Sequence, residues 1–316
     1  MKKVLVLGAS GGIGYALVNE LVSRGIEVVA FARGKEKLEK LYGHEKKVTI
    51  FQGDALVDLD VTDASQGVDV IFHAVSFPYQ EWEQTHPICV DVMIRAAKSV
   101  KAKIAFVDNV YAYGRQLELV TEETEKAPHT KKGKLRLEME STLKNSNVPT
   151  LIVHMPDVYG PNCANTILHE TLKNVIQNKT ANFVGSMKVA REYLYTLDAA
   201  KTMIELASRE DTYNQNWNIP ASRPITGEEL LELFRKEFGY TKSFRSISKS
   251  MIRLMGIFQP FMKEMVEMMY LTKEPVVLSG KKYEASVGAL SSTTYQEGLS
   301  NTLKWMEKES KKELLV

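Results

Sequence analysis

Gly8, Gly11 and Gly14 recur at intervals of three inside the run Gly8-Ala9-Ser10-Gly11-Gly12-Ile13-Gly14. A short apolar run over 4–7 precedes them, and an amphipathic helical pattern over 13–23 follows. In that setting each glycine has a reason to lack a side chain. One makes the tight turn, one lets a pyrophosphate approach the backbone, and one brings helix against strand. The free N–H groups at the helix start then face the phosphate. The spacing predicts a dinucleotide cradle built by Gly8, Ser10, Gly11, Gly12, Ile13 and Gly14. Two further positions bear on the cofactor. Arg33, ending the second apolar run, offers a cation to a 2′-phosphate, which favours NADP(H) and leaves NAD(H) as the alternative. Its plain reading is a solvated strand-end arginine. Asp54, after Gly53, either accepts from the adenine amine or caps a helix.

The elements that must position these residues follow from periodicity. Residues 4–7, 27–32, 47–51, 68–74, 103–107 and 150–154 are nearly continuous apolar runs, as expected of parallel strands buried on both faces. Helical patterns over 13–23, 35–41, 86–100 and 134–143 alternate with them. The rhythm predicts an α/β fold, a Rossmann-type doubly wound parallel sheet over 1–160. Residues 161–316 form a smaller, interlocked substrate-binding region, and a segment near 190–220 returns to the first domain. There, 165–177 reads as a helix, 191–196 as a short strand and 198–207 as a helix, and Thr226 with Glu228 and Glu229 as a helix start. Residues 251–270 carry Met251, Met255, Met262, Met265, Met268 and Met269, broken at Pro260. They read first as adaptable filler for a helical core and second as pocket lining.

The 316 residues suffice for a sizeable core, and 44% hydrophobic with 25% charged residues is ordinary globular composition. A net charge of +2 gives no reason to expect nucleic acid or a membrane as main partner. No uncharged apolar stretch reaches the ~18 residues of a membrane span. Two cysteines, Cys89 and Cys163, lack metal-type spacing, so no metal is expected and a reducing, cytoplasmic setting is.

Several ordered motifs add to this reading. They are the glycine turn, Gly53-Asp54, Val70-Ile71-Phe72-His73-Ala74, and Phe106 through Gly114 with Asn109, Tyr111 and Tyr113. Lys134 opening a helix, His154-Met155-Pro156-Asp157-Val158-Tyr159-Gly160-Pro161, and Arg191-Glu192-Tyr193 before Asp198 complete the series. In this order they resemble the extended and atypical short-chain dehydrogenase/reductases, the NAD-dependent epimerase/dehydratase group. The resemblance implies cofactor contacts at Ala74 and Pro156, the latter near the nicotinamide, and a ribose contact at Lys134. It places the loop 76–82, with Pro78, Tyr79 and Trp82, at the substrate, unless those side chains only cover the sheet edge. It also implies a homodimer through helices 86–100 and 134–143.

The sequence departs from that family where its chemistry sits. Active members carry Tyr-x-x-x-Lys. Lys134 matches the lysine, and Thr130 stands where the tyrosine would be. An aliphatic hydroxyl is a far weaker acid than a phenol. Asn109 matches the family's Ser or Thr and can hydrogen-bond a carbonyl without relaying a proton. In an extended stretch, residues two apart share a side, so Tyr111 and Asn109 would converge on one substrate oxygen. His129 is a weaker proton-transfer candidate, Tyr113 a structural one, and His154 a satisfied strand-end histidine. The expected catalytic set is Asn109, Tyr111 and Lys134. The function expected is NADP(H)-dependent hydride transfer to or from a small carbonyl, hydroxyl or nucleotide-sugar substrate. The alternative is a catalytically degenerate NAD(P)(H)-binding protein or redox sensor.

Overall fold

Strand β1 (Lys3–Leu7) divides its side chains between two cores. Leu5 and Leu7 enter one and Val4 and Val6 the other, because successive strand residues face opposite sides. The computed structural model describes residues 1–164 and 166–313. Strands β2 (Glu27–Ala32), β3 (Val48–Gln52), β4 (Val70–His73), β5 (Lys103–Asn109) and β6 (Thr150–Met155) follow the expected runs within two residues. Three short strands come next, β7 (Asp157–Tyr159), β8 (Ala181–Val184) and β9 (Tyr193–Tyr195), then β10 (Gln215–Asn218) and β11 (Phe244–Ile247). The main sheet has 7 strands in the order β10-β6-β5-β4-β1-β2-β3, every pair parallel. That order reverses between β1 and β4, so the crevice at their carboxyl ends is the place for a ligand in a doubly wound sheet.

Helices α1 (Gly12–Ser23) and α2 (Lys35–Tyr42) cover one face, joined by the later α7. Helices α3 (Asp58–Ala64), α4 (Trp82–Val100) and α5 (Lys131–Lys144) cover the other. Two starts differ from expectation. Helix α4 begins at Trp82 and accommodates Pro87, and α5 begins at Lys131 because Thr130 caps it, its Oγ1 accepting from Gly133 N at 3.0 Å. Helix α3 escaped the sequence reading, being one short turn pair with Val61 and Ala64 its only buried residues.

Helix α6 (Ile167–Ile176) lies inside the expected 165–177, of which Asn165 falls outside the described residues. Helix α7 (Thr196–Ala207) follows β9. Helix α8 (Gly227–Phe238) starts at a capping box. Thr226 Oγ1 accepts from Glu229 N at 3.1 Å, and Glu229 Oε2 accepts from Thr226 N at 2.8 Å. Helices α9 (Lys249–Met255) and α10 (Pro260–Met268) form a hairpin whose small core joins Ile247, Ile252, Met265 and Met269. The chain then returns, with Val276 and Leu278 in one core of the main sheet and Tyr283 of α11 (Lys281–Ser286) in the other. Helix α12 (Tyr295–Glu313) closes the C-terminal core through Leu299, Leu303 and Met306.

Candidate functional site

The glycine turn has the form its spacing requires. Gly8 sits at φ +84°, and both Gly8 N and Ala9 N donate to Phe31 O, at 3.0 and 3.1 Å. A Cβ on Gly8 would lie 2.5 Å from Ala74 O, and one on Gly14 would lie 2.1 Å from Gly8 O. These two glycines therefore make the turn and let α1 abut β1. Gly11 is the open one, since its Cβ would meet nothing nearer than Gly8 O at 3.4 Å. It is also the N-cap of α1, with no side-chain hydrogen bond and no acid in the first turn. The helix start thus keeps free N–H groups and an uncompensated positive end, which suits a pyrophosphate. A fourth glycine has a packing reason the spacing did not supply. A Cβ on Gly12 would lie 2.6 Å from Cys163 Sγ, because the loop after β7 folds over the turn. Asn162 Nδ2 in that loop donates to Ser10 O at 3.1 Å, and burial pushes the Cys163 thiol up to about 12.

Arg33 is exposed at the end of β2 and forms no ion pair among the described residues. Asp54 acts within its own turn, Oδ1 accepting from Leu56 N at 3.0 Å. That is a local turn bond and not a helix cap, since the N-cap of α3 is Val57, and it occupies one carboxylate oxygen.

The catalytic expectations divide. Residues Val110–Tyr113 form a 3₁₀ turn, so the extended alternation between Asn109 and Tyr111 does not hold. Asn109 instead caps that turn, with Oδ1 accepting from Tyr111 N at 3.0 Å. The partner of Tyr111 is Tyr79, whose hydroxyl lies 2.7 Å from that of Tyr111. Both line a solvent-connected cleft that also reaches Pro156, Asp157, Arg191 and Glu192. Of the other loop residues, Trp82 is buried behind the pair, its Nε1 donating to Phe77 O at 2.8 Å, and Pro78 lies outside the cleft lining. Tyr113 donates to Asn218 Oδ1 at 3.0 Å, a structural bond. His129 is exposed with its ring edge-on to Tyr270.

Helix α5 sets Lys134 apart from a second series of polar groups. Lys134 is exposed and hydrogen-bonds neither phenol, while Lys132, Arg136 and Glu140 are buried at intervals of four. The apolar series Leu135, Met139 and Leu143 marks the face turned to the sheet. Lys132 Nζ sits over the Tyr79 ring, 5.1 Å from its centroid, and pairs with Glu264 at 2.5 Å and Glu267 at 2.9 Å. The Arg136 guanidinium covers the Trp82 ring at 4.5 Å and lies 3.4 Å from Asp108.

Electrostatics set what these groups can do. Burial pushes Tyr79 up to about 12, opposed by its bond to Tyr111 and by the Arg136 charge. Burial raises Tyr111 well above the usual phenol value, again with Arg136 opposing. Desolvation raises the Asp157 carboxyl against the pull of Arg191. It raises Glu192 to about 7, although Leu278 N and Ala221 N donate to its two oxygens. Behind the site, Asp108, Glu140 and His154 bring three potential ligand atoms within 4.8 Å. The cation there is Lys126, whose Nζ pairs with Glu140 and lies 3.0 Å from His154 Nε2. An ammonium thus holds the position a metal would need.

Residues 8–191 of the chain match the family described as NAD(P)H-binding. The matched span holds the glycine turn, Arg33, the phenol pair and Pro156. The chain belongs to the NAD(P)H-binding family. Membership in this family gives the chain an NAD(P)(H) dinucleotide as ligand. Among curated relatives, "Uncharacterized UDP-glucose epimerase YtcB" of Bacillus subtilis (strain 168) is 25% identical over 242 residues, covering 69% of this chain and 76% of its own. The 2-alkyl-3-oxoalkanoate reductase of Shewanella oneidensis is 42% identical over 72 residues, 22% of this chain and 17% of its own. Among solved structures, UDP-glucuronic acid 4-epimerase from Bacillus cereus in complex with NAD superposes with a TM-score of 0.80. It is 18% identical, covering 97% of this chain and 99% of that one, and establishes the shared fold.

Proposed function

We propose that the protein is an NADP(H)-dependent oxidoreductase of epimerase-like type that works chiefly in the direction of carbonyl reduction. The observation that carries this is the Tyr79–Tyr111 hydroxyl pair, 2.7 Å apart, lining the cleft that reaches Pro156. When bound, the dinucleotide supplies a hydride from nicotinamide C4. The glycine turn would hold its pyrophosphate and Arg33 its 2′-phosphate. Tyr111 donates a hydrogen bond and then its proton to the carbonyl oxygen as that oxygen gains charge, with the Tyr79 hydroxyl hydrogen-bonded beside it. Both phenols keep their protons at neutral pH, so they serve as donors and are poorly suited to take a proton from an alcohol. Arg136 supplies the positive field that the family's lysine would give, in place of Lys134.

The substrate we assign is a carbonyl compound with an apolar body. Phe261, Met265, Met268, Met269, Leu271 and Val276 form one side of the cleft, and flexible thioethers suit an aliphatic chain. Arg191, the cation in the lining, is engaged with Val184 O at 2.7 Å and with the rings of Phe183 and Tyr193. Its Nη2 is thus taken by the fold, while its buried Nε has no partner among the described residues. The similarity to a 2-alkyl-3-oxoalkanoate reductase supports this class, and the similarity to a UDP-glucose epimerase supports the polar competitor.

The test is NADPH oxidation with 3-oxoalkanoate esters, long-chain ketones and UDP-sugars. Tyr111→Phe is expected to lower kcat at least ~10-fold with little change in NADPH affinity, and Tyr79→Phe to lower it less. Unaltered turnover in Tyr111→Phe would remove the pair from the mechanism. Tight NADPH binding with no oxidation across the panel would return the protein to a binding or sensing role.

A further inference from the structure

The tip of the α9–α10 hairpin exposes side chains that a water-facing surface ordinarily buries. Leu254 is 64% exposed, Ile257 70% and Phe258 84%, with Met255 and Phe261 beside them. They are contiguous in the chain, and the turn is tight. A Cβ on Gly256 would lie 3.0 Å from Lys263 Cα, so the end of α9 abuts the first turns of α10. Along the chain, the hairpin's charge has one sign, and the nearest acids on a packed element are Glu81 and Glu83 beside Tyr79, on which Phe261 stacks. Residues 238–263 contain Lys242, Arg245, Lys249, Arg253 and Lys263 and neither Asp nor Glu. All five cations are exposed. The first acids beyond them, Glu264 and Glu267, are drawn inward to the buried Lys132 and do not neutralise the tip. Phe261 belongs both to this patch and to the lining of the cleft, so the apolar surface runs into the mouth of the site.

We infer that the α9–α10 tip docks on an anionic membrane surface. Exposed large apolar side chains flanked along the hairpin by cations fit the boundary between headgroups and acyl chains, where the apolar groups enter and the cations meet lipid phosphates. Each basic side chain near such a surface strengthens binding roughly fivefold. A second copy of the chain is the poorer occupant, because a two-fold contact through this tip would set its cations against themselves. No described helix is long and apolar enough to cross a membrane, so the contact is peripheral. Docking would turn the cleft mouth toward the lipid.

The experiment sediments the full chain, without substrate, with sucrose-loaded vesicles. One set is phosphatidylcholine alone and the other contains roughly 30% phosphatidylserine, each at low and at ~0.5 M salt. Binding to the anionic vesicles, at least ~10-fold weaker to the neutral ones and at high salt, is expected. The pair Ile257→Ser with Phe258→Ser should weaken it ~10-fold at an unchanged unfolding midpoint, since both side chains are exposed. Lys249→Glu with Arg253→Glu should abolish the preference for phosphatidylserine. Wild-type protein that stays in the supernatant at low salt overturns the inference, and so does binding that the tip substitutions leave intact. A sedimentation-velocity dimer that Ile257→Ser with Phe258→Ser dissolves, in the absence of vesicle binding, would assign the tip to a second copy instead. Neither arm depends on turnover.

Discussion

At the scale of single residues, Arg33 and the phenol pair separate which cofactor is held from what is done with it. Arg33 is the residue proposed to take a 2′-phosphate, and it has no acidic partner among the described residues. A charge-assisted bond to a 2′-phosphate is worth about 1.5–3 kcal/mol. Arg33→Ala should therefore weaken NADPH binding by at least ~10-fold and leave NADH binding within about twofold, read by titration of cofactor fluorescence. An unchanged ratio of the two affinities would leave Arg33 a solvated strand-end residue. Asn109 shows why the catalytic partner was misassigned from sequence. The argument from alternation required an extended backbone, and the chain turns at Val110 into a 3₁₀ turn that uses the Asn109 side chain as its cap. Tyr79 was legible as a substrate-side residue of the 76–82 loop. Its pairing with Tyr111 depends on tertiary placement across 32 positions of chain, which no local pattern encodes.

At the scale of elements, β4 carries a histidine that makes the fold acid-sensitive. His73 is 1% exposed, neither ring nitrogen has a partner, and its ring stacks on Phe106 at 4.4 Å. Burial, then the Arg136 charge, lowers its pKa from 6.5 to about 3. The folded state keeps the ring neutral while the unfolded chain protonates it below about 6.5, so stability falls as pH drops from 6.5 toward 3. His86, depressed by the same causes, adds loss of the same sign. His73→Leu should flatten the unfolding midpoint against pH between about 6.5 and 4. At pH 7 it should stabilise by about 1 kcal/mol, since two unpaired buried nitrogens are removed. A variant with the wild-type acid slope would exclude His73 as the source. Five of the six strands of the first half were readable because burial on both faces leaves continuous apolar runs, while β3, at the sheet edge, has no buried residue and was read from its β-rich composition. The short strand pairs β7 with β9 and β8 with β11 were mostly not, because three or four residues carry too little pattern. Helix α5 was found but entered three residues late, and the buried Lys132 and Arg136 went unread.

At the scale of the whole molecule, charge and apolarity are segregated in ways that totals conceal. A net charge of +2 gave no hint of the acid-free segment 238–263. The methionines of 251–270 do two jobs at once. Met265 and Met269 belong to the hairpin core and, with Met268, line the cleft. Ion pairs tie this region to the cofactor-binding half, Lys132 to Glu264 and Glu267, and Arg115 to Glu274 at 2.7 Å. The cleft is thus closed on one side by the dinucleotide fold and on the other by a methionine-rich hairpin held across it. Hydride transfer to a carbonyl in that cleft is tested most directly with NADPH deuterated at nicotinamide C4, incubated with a 3-oxoalkanoate ester and followed by mass spectrometry. One deuterium in the resulting alcohol, lost together with turnover in Tyr111→Phe, is the expected result. Bound NADPH that transfers no deuterium to any carbonyl of the panel would contradict it.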